Sequence, residues 1–585
     1  MATVWLAPSR RTARLLAAPG LIVAMLALRL GFSLAGWPGT DSEEGTMGLM
    51  ALHIARGQDW PIFYYGQNYM GAGEAYVAAV FFHLFGPSLL SLRLAMLVFL
   101  LLFACALYQL ARLLYGTTVA LLSLLLLSLA PRYVLTPEMR AVGGAVETLA
   151  FGSLAMVLAT WLAMAQSAGP GEAPSRTRPL AVFAWGLVAG LGLWSHWLVV
   201  PFLLCSAALL ALFSWRAWLR NPLLLLLLLA GLVLGGLPLI VYNLHAPAGQ
   251  DSLSIFLSLY SQNRYPGLPP SGLLLWLKKL SGTFLYSLPL ATGMTPACPL
   301  EALPFYGWRL GQSLACAALY GSWSLGYLLL LVGSLALTLR SLLRRLRQAR
   351  PRRELVLHTS RLLLLLAGLM TLLAYAVSLT AAQRPQSTRY LVGLLILTPA
   401  LIWPLVHCLR RTPSLTISSE APGQSLPSLA SQRCRRLGRI RRPLAATGLA
   451  LVLLAFLAGT FANASEIPSA AERQQQYEAL AATLERWGIR HVYSGYWICD
   501  RLTFASQEKV ICGTINPWLT RNALVRYPPY YREVSADPQA AYLFSNAQNG
   551  EFPLLSSQAR ILAARHYRPI SLPGFVLYLR ERTSG

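Results

Sequence analysis

At 585 residues the chain has the length of about four soluble domains at roughly 150 residues each. Its composition excludes that reading: 56% of residues are apolar and 12% charged, about half the charged share of a soluble domain. The net charge of +26, from 48 Lys+Arg against 22 Asp+Glu, would suit nucleic-acid binding if the cations formed a stripe. They fall instead between long apolar runs, the pattern of a multispanning membrane protein with basic loops on one side. Eight cysteines, scattered and without a CxxC pair, give neither a disulfide scaffold nor a zinc site.

Runs of about 20 apolar residues, enough to cross a ~30 Å hydrocarbon core, predict eleven spans. They lie near 15–36, 88–111, 117–135, 143–165, 180–195, 197–214, 222–243, 318–339, 361–380, 391–409 and 444–462. With Arg10, Arg11 and Arg14 cytoplasmic, the loops holding Arg112, Arg176 and Arg178, Arg216 and Arg220, and the blocks Arg340–Arg353 and Arg410–Arg442 all fall on that same side. The basic blocks therefore fix topology and meet anionic lipid. The first apolar run exceeds the h-region of a signal peptide and is read as an uncleaved span.

The expected organisation is an all-α polytopic membrane module over 1–462 and a small exoplasmic α/β domain over 463–585. The outer loops are placed at about 37–87, 244–317 and 381–390, and 412–432, rich in Ser, Pro and Gln, is expected to be a cytoplasmic linker. In the last segment a helix is expected over Ala470–Trp487 and β-like runs at His491–Ile498 and Phe575–Leu579.

Just past the first span stand Asp41, Glu43 and Glu44, followed by Leu49, Met50, His53 and Ile54 at helical spacing. This spacing predicts an amphipathic helix along the outer interface. Asp41 to Glu44 is also spaced as a capping box, and acids suit a helix N-terminus on any account. On the functional reading one of the three is a general base for a hydroxyl, mutual repulsion raising at least one pKa.

Further on come Phe63-Tyr64-Tyr65-Gly66-Gln67-Asn68-Tyr69-Met70-Gly71 with Glu74, then Phe85-Gly86-Pro87 before the second span. This order of features resembles the GT-C superfamily of membrane glycosyltransferases. It looks closest to the family 39 branch of protein O-mannosyltransferases and the bacterial aminoarabinose transferase for lipid A. The likeness covers the first ~165 residues best. In that family an Asp-Glu pair in the first outer loop carries catalysis. The matching pair here is Glu43-Glu44, which leaves Glu43, Glu44 and Asp41 as candidates for the base.

The resemblance implies a second acidic site after span three, for which Glu138 and the deeper Glu147 are the candidates. It also implies a polyprenyl-phosphate sugar donor, whose leaving phosphate needs an interfacial cation. Arg389, Arg384, Lys278, Lys279 and Arg264 are outer-facing candidates, and Arg389-Tyr390 is similar to an Arg-Tyr element of the superfamily. Tyr65, Gln67, Tyr69, Glu74, His196 and Tyr390 are substrate-pocket candidates. His53 and His83 read as interfacial hydrogen-bonding residues. No cluster has metal spacing, so no metal site and no required cofactor are expected, with a divalent cation left open.

Cys499 and Cys512, and with less support Cys298 and Cys316, are expected to pair outside the cell. Asn463-Ala464-Ser465 abuts the membrane and is discounted as a glycan acceptor. The reading is thus a multi-pass inner-membrane, inverting glycosyltransferase with an exoplasmic active site. It moves a sugar from a polyprenyl-phosphate donor to a glycan, lipid or protein hydroxyl of the cell envelope. A lipid-linked glycan ligase, polymerase or flippase shares these features; a secondary transporter would show repeat symmetry, which is not seen.

Overall fold

The computed structural model describes residues 10–165, 178–258, 268, 272–307, 310–348, 351–410, 429–546 and 550–581. Arg264, Arg176 and residues 412–428 of the expected linker lie outside the described residues.

The chain runs α1 (Arg10–Leu34), α2 (Ser42–Ala55), α3 (Gly73–Phe85), α4 (Leu89–Tyr115), α5 (Thr117–Ser128), α6 (Arg132–Met139), α7 (Ala145–Ala165) and α8 (Arg178–Ser195). Then come α9 (Val200–Arg220), α10 (Pro222–His245), α11 (Ser252–Ser258), α12 (Leu273–Gly282), α13 (Leu288–Ala291), α14 (Leu310–Arg347), α15 (Arg352–Val377) and α16 (Thr380–Gln383). A 3-10 helix, Thr388–Leu397, leads into α17 (Thr398–Arg410), and α18 (Leu429–Ser465) and α19 (Ile467–Arg486) follow.

Among the described residues nine helical stretches are long and apolar enough to cross a membrane. Two of the expected eleven differ. Span three is the pair α5 and α6, bent by 87°, because Ala130-Pro131 interrupts it. Span five is the shorter α8, whose glycines close it onto α10. A β-carbon at Gly186 or Gly190 would strike the carbonyl oxygens of Leu228 and Leu232, and one at Gly231 or Gly235 those of Phe183 and Leu187. Two GxxxG stripes therefore face each other, the close packing through which membrane helices associate.

The C-terminal α/β region holds β1 (His491–Ser494), α20 (Tyr496–Ala505), β2 (Ile511–Thr514), α21 (Pro528–Ala536), β3 (Ala541–Ser545), α22 (Ser556–Ala564), β4 (Tyr567–Leu572) and β5 (Phe575–Arg580). The sheet order is β2-β1-β3-β5-β4. β1 is parallel to β2 (Val492 beside Cys512) and to β3 (Val492 beside Ala541), whereas β5 is antiparallel to β3 and β4. Val492, Ile498, Leu502, Leu543, Phe544 and Leu577 form its own core. The expected strand to Ile498 stops at Ser494, because Gly495 caps α20 and a β-carbon there would lie 2.6 Å from the Phe552 ring. Cys499 is joined to Cys512 and Cys298 to Cys316, with Cα separations of 5.0 and 5.9 Å.

Replacing Gly190 by Leu is expected to lower stability by about 2 kcal/mol or more. Gly333→Leu, where a β-carbon meets nothing within 4 Å, should be near neutral. Thermal unfolding of the purified protein in detergent compares the two.

Candidate active site

Asp41, extended at φ −143°, is the N-cap of α2: its Oδ1 accepts from the backbone N–H of Glu43 (3.0 Å) and Glu44 (3.2 Å). The capping geometry thus coexists with whatever chemistry the acids perform. The structure corrects the expected surface helix, since α2 is buried from Glu44 to Ile54. Its second face lies under α20 of the C-terminal region. A β-carbon at Gly45 would sit 2.7 Å from the Arg501 backbone nitrogen, and one at Gly48 2.6 Å from the Phe504 ring. Thr46 donates to Asp500 at 2.6 Å, and His53 meets Glu508 at 2.8 Å.

Each acid has its own arginine. Glu44, fully buried, receives Nε and Nη2 of buried Arg93 at 2.9 and 2.8 Å, and Arg93 also donates to the Pro38 carbonyl at 2.7 Å. Asp41 pairs with Arg140. Glu43 pairs with both terminal nitrogens of Arg389, one at 3.2 Å, and its side chain keeps 17% of its exposure against none for Glu44. Repulsion among the acids was expected to raise a pKa. Burial does push the Asp41 carboxyl up, but the Arg140 charge and hydrogen bond outweigh it and hold it below its ordinary value.

Glu138 does not form a second acidic site at the cavity. It is wholly buried against Arg29, whose Nε and Nη2 lie 3.2 and 2.7 Å from its Oε2. The same guanidinium donates to the Leu127 and Ser128 carbonyls at 2.5 and 2.6 Å, the groups that the α5–α6 break would leave unpaired. Glu147 accepts from Ser195 Oγ (2.6 Å) and the Gly144 N–H (3.1 Å), and Glu74 from the Gly143 N–H (2.9 Å). These two acids hold the Gly143-Gly144 turn, left-handed at φ +84° and +77°, where only glycine is unstrained. Burial, then the Glu147 charge, pushes the Glu74 pKa well up.

Beside the Arg389–Glu43 pair opens a cavity of about 400 Å³. Tyr69, His196, Tyr375, Ser378 and Tyr390 give it a polar wall; Leu198, Val200, Pro201, Met370 and Ala374 give it an aliphatic one. Burial, with Arg389 adding, lowers the His196 pKa to about 3, so its imidazole is neutral. Arg389 lies 5.6 Å from the ring centre of its chain neighbour Tyr390, which lines the cavity; Arg389 and Glu43 themselves are not among the lining residues.

The other expected residues scatter. Lys279 donates to the Val377 carbonyl at 2.7 Å, next to cavity residue Ser378, and Lys278 lies over the Tyr306 ring. Arg384 is exposed. Tyr65 is bound to His53 and Asp59, both at 2.8 Å. Gln67, with its amide oriented to accept, meets both terminal nitrogens of Arg526 at 2.8 Å.

Arg93, Arg140 and Arg526 were not read as site residues. Arg140, two places past Glu138, carried a local signal, a cation in the same short loop. Arg526 carried none: it comes from the C-terminal region and stacks 5.3 Å over Tyr64, whose hydroxyl donates to the Glu43 carbonyl at 2.9 Å.

Residues 72–241, from the start of α3 into α10, match the family model "Dolichyl-phosphate-mannose-protein mannosyltransferase". No curated protein matches the sequence. Among solved structures the chain is similar to Cupriavidus metallidurans ArnT bound to undecaprenyl phosphate, at 14% identity and TM-score 0.55, over 97% of this chain and 98% of that one. It also aligns with Archaeoglobus fulgidus oligosaccharyltransferase AglB, in complex with an inhibitory peptide and a dolichol-phosphate, at 13% identity and TM-score 0.45, over 98% and 75%. The family match covers the stretch from α3 into α10, less than half of the chain, and the likeness to ArnT is one of fold.

Glu44→Gln strands a buried Arg93 and is expected to cost about 3 kcal/mol of stability. Glu43→Gln breaks a partly exposed pair and should cost about 1 kcal/mol. Thermal unfolding of the two variants side by side checks this ordering.

Proposed function

We propose that the protein moves a sugar from a polyprenyl-phosphate donor to an acceptor hydroxyl, with inversion, at the outer face of a bacterial inner membrane. The observation that carries this is the Arg389–Glu43 pair, with Arg389 next in sequence to Tyr390 in the wall of a mainly apolar cavity that also presents Tyr69, His196 and Ser378. The aliphatic wall suits an isoprenoid chain and the polar wall a sugar. The ArnT structure holding undecaprenyl phosphate in the same fold supports a lipid-phosphate donor.

Glu43 is the base on this reading. Glu44 is excluded by burial and its two bonds to Arg93, and Asp41 is committed to the α2 N-cap and Arg140. The donor phosphate takes Arg389, a fork suited to two phosphate oxygens. Glu43, released, accepts the acceptor's proton; the acceptor oxygen attacks the anomeric carbon, and the bond from that carbon to the phosphate oxygen breaks. Arg389 stabilises the charge left on the polyprenyl phosphate. The acceptor is a lipid, glycan or protein hydroxyl, and Lys279 and His196 line or border the donor site.

The outer-face assignment rests on charge and cysteine. Arg112, Arg220, Arg345 and Arg410 end their helices at the opposite end of the bundle from the acids, as cytoplasmic loops do. Both disulfides suit an oxidising compartment. Among the described residues no group of three or more His, Cys, Asp or Glu side chains could hold an ion, and the steps above route nothing through a metal.

Membranes containing the protein, given a panel of radiolabelled polyprenyl-phosphate sugars, are expected to transfer one of them to endogenous acceptor. Glu43→Gln should lower the rate at least about a hundredfold at equal folded protein. Equal rates in Glu43→Gln and wild type would overturn the base assignment.

A further inference from the structure

A second cleft, of about 210 Å³, lies between the first loop and the C-terminal region. Thr40, Ser88, Gln474, Glu478, Phe504 and Gln507 are among its walls, and Arg501 lines it from α20. Thr40 is the neighbour of Asp41, so the cleft borders the acid cluster on a side that the 400 Å³ cavity does not occupy.

Arg501 is only 4% exposed, and a buried guanidinium requires a counter-charge or full hydrogen bonding. The other deeply buried arginines obey this: Arg29 has Glu138 and Arg93 has Glu44. Among the described residues no carboxylate comes within ion-pair distance of Arg501, and the charges of Glu551, Asp41 and Glu44 reach it only from further off. One terminal nitrogen makes two long bonds, 3.4 Å to the Arg473 carbonyl and 3.3 Å to Gln474 Oε1, and its Nε has no partner. Its plane is held 3.6 Å over the Tyr477 ring, whose hydroxyl is fixed by Glu551 at 2.5 Å. The guanidinium is thus pre-oriented and short of an acceptor.

The surroundings favour an anion. Ser88 caps α4 at the cleft, so the positive end of that helix faces it. Gln474 and Gln507 add amides. Glu478 is the one acid in the wall, and Gln474 Nε2 binds it at 2.9 Å. We infer that this cleft binds an oxyanion, a phosphate or carboxylate, with Arg501 as its principal ligand, and that the oxyanion is part of the sugar acceptor. The link to the acceptor rests on the transferase reading; the binding does not.

The test is isothermal titration of the full chain in neutral detergent with inorganic phosphate, for wild type, Arg501→Gln, Arg501→Lys and Glu478→Gln, each checked for a monodisperse elution profile. Wild type is expected to show one site that Arg501→Gln weakens at least about tenfold, as loss of a charge-assisted pair does. Arg501→Lys should bind at intermediate strength. Glu478→Gln, an exposed change that leaves Arg501 in place, should tighten the same site severalfold, and it serves as the test if Arg501→Gln fails to fold. Pre-loading with phosphatidylglycerol tells the sources apart: a blocked site means a lipid headgroup reaches it, and an open one means a phosphate or carboxylate on a soluble or glycan group. Phosphate binding equal in all variants, or none in wild type up to tens of millimolar, overturns the proposal whether or not the protein transfers sugar.

Discussion

Three carboxylates within four residues at one helix start have to be neutralised, and everything around them follows from how that is done. Left unpaired beside a low-dielectric bundle, each would cost several kcal/mol. The three arginines come from separate elements: Arg93 from α4, Arg140 from the segment after α6, and Arg389 from the 3-10 helix. The acid cluster can exist as an anion only when those elements have assembled around it. Burial and partners divide the work: Glu44 is fully buried and fastened to Arg93, Asp41 keeps 24% of its exposure but caps α2 and pairs with Arg140, and Glu43, with 17%, pairs with Arg389.

The broken backbone around the cluster is held by the same kind of chemistry. Arg29 caps the carbonyls at the 87° bend between α5 and α6 while pairing with Glu138. Glu74 and Glu147 hold the N–H groups of Gly143 and Gly144. Together these bonds stabilise the turn that delivers Arg140 to Asp41. Irregular backbone at membrane depth persists only where protein satisfies it, and here buried acids do so. Glu138 and Glu147, the candidates for a second acidic site, are thus both engaged in holding this irregular backbone.

Hydropathy made the bundle legible: each of the eleven apolar runs corresponds to a helix, including the broken α5–α6 pair and the short α8. It carried no information on partners. Glu44 and Arg93 are 49 residues apart, Glu43 and Arg389 346, and Thr46 and Asp500 454, distances at which one sequence gives no pairing signal. The same gap explains the error at α2. Its apolar face was visible, but the cover that α20 lays over its other face was not, although Gly45 and Gly48, spaced one turn apart, marked where another backbone comes close. Arg389 was legible because an Arg-Tyr step before a span resembles a known element. Arg526, alone in a loop far down the chain, was not.

On the proposed mechanism Arg389 is shared between Glu43 and the donor phosphate. The most direct test of this sharing is equilibrium binding of undecaprenyl phosphate to detergent-purified wild type, Glu43→Gln and Arg389→Gln. Glu43→Gln is expected to bind the lipid at least as tightly as wild type, since the Arg389 guanidinium is no longer engaged, and Arg389→Gln to lose about tenfold or more. Undiminished binding by Arg389→Gln would contradict it.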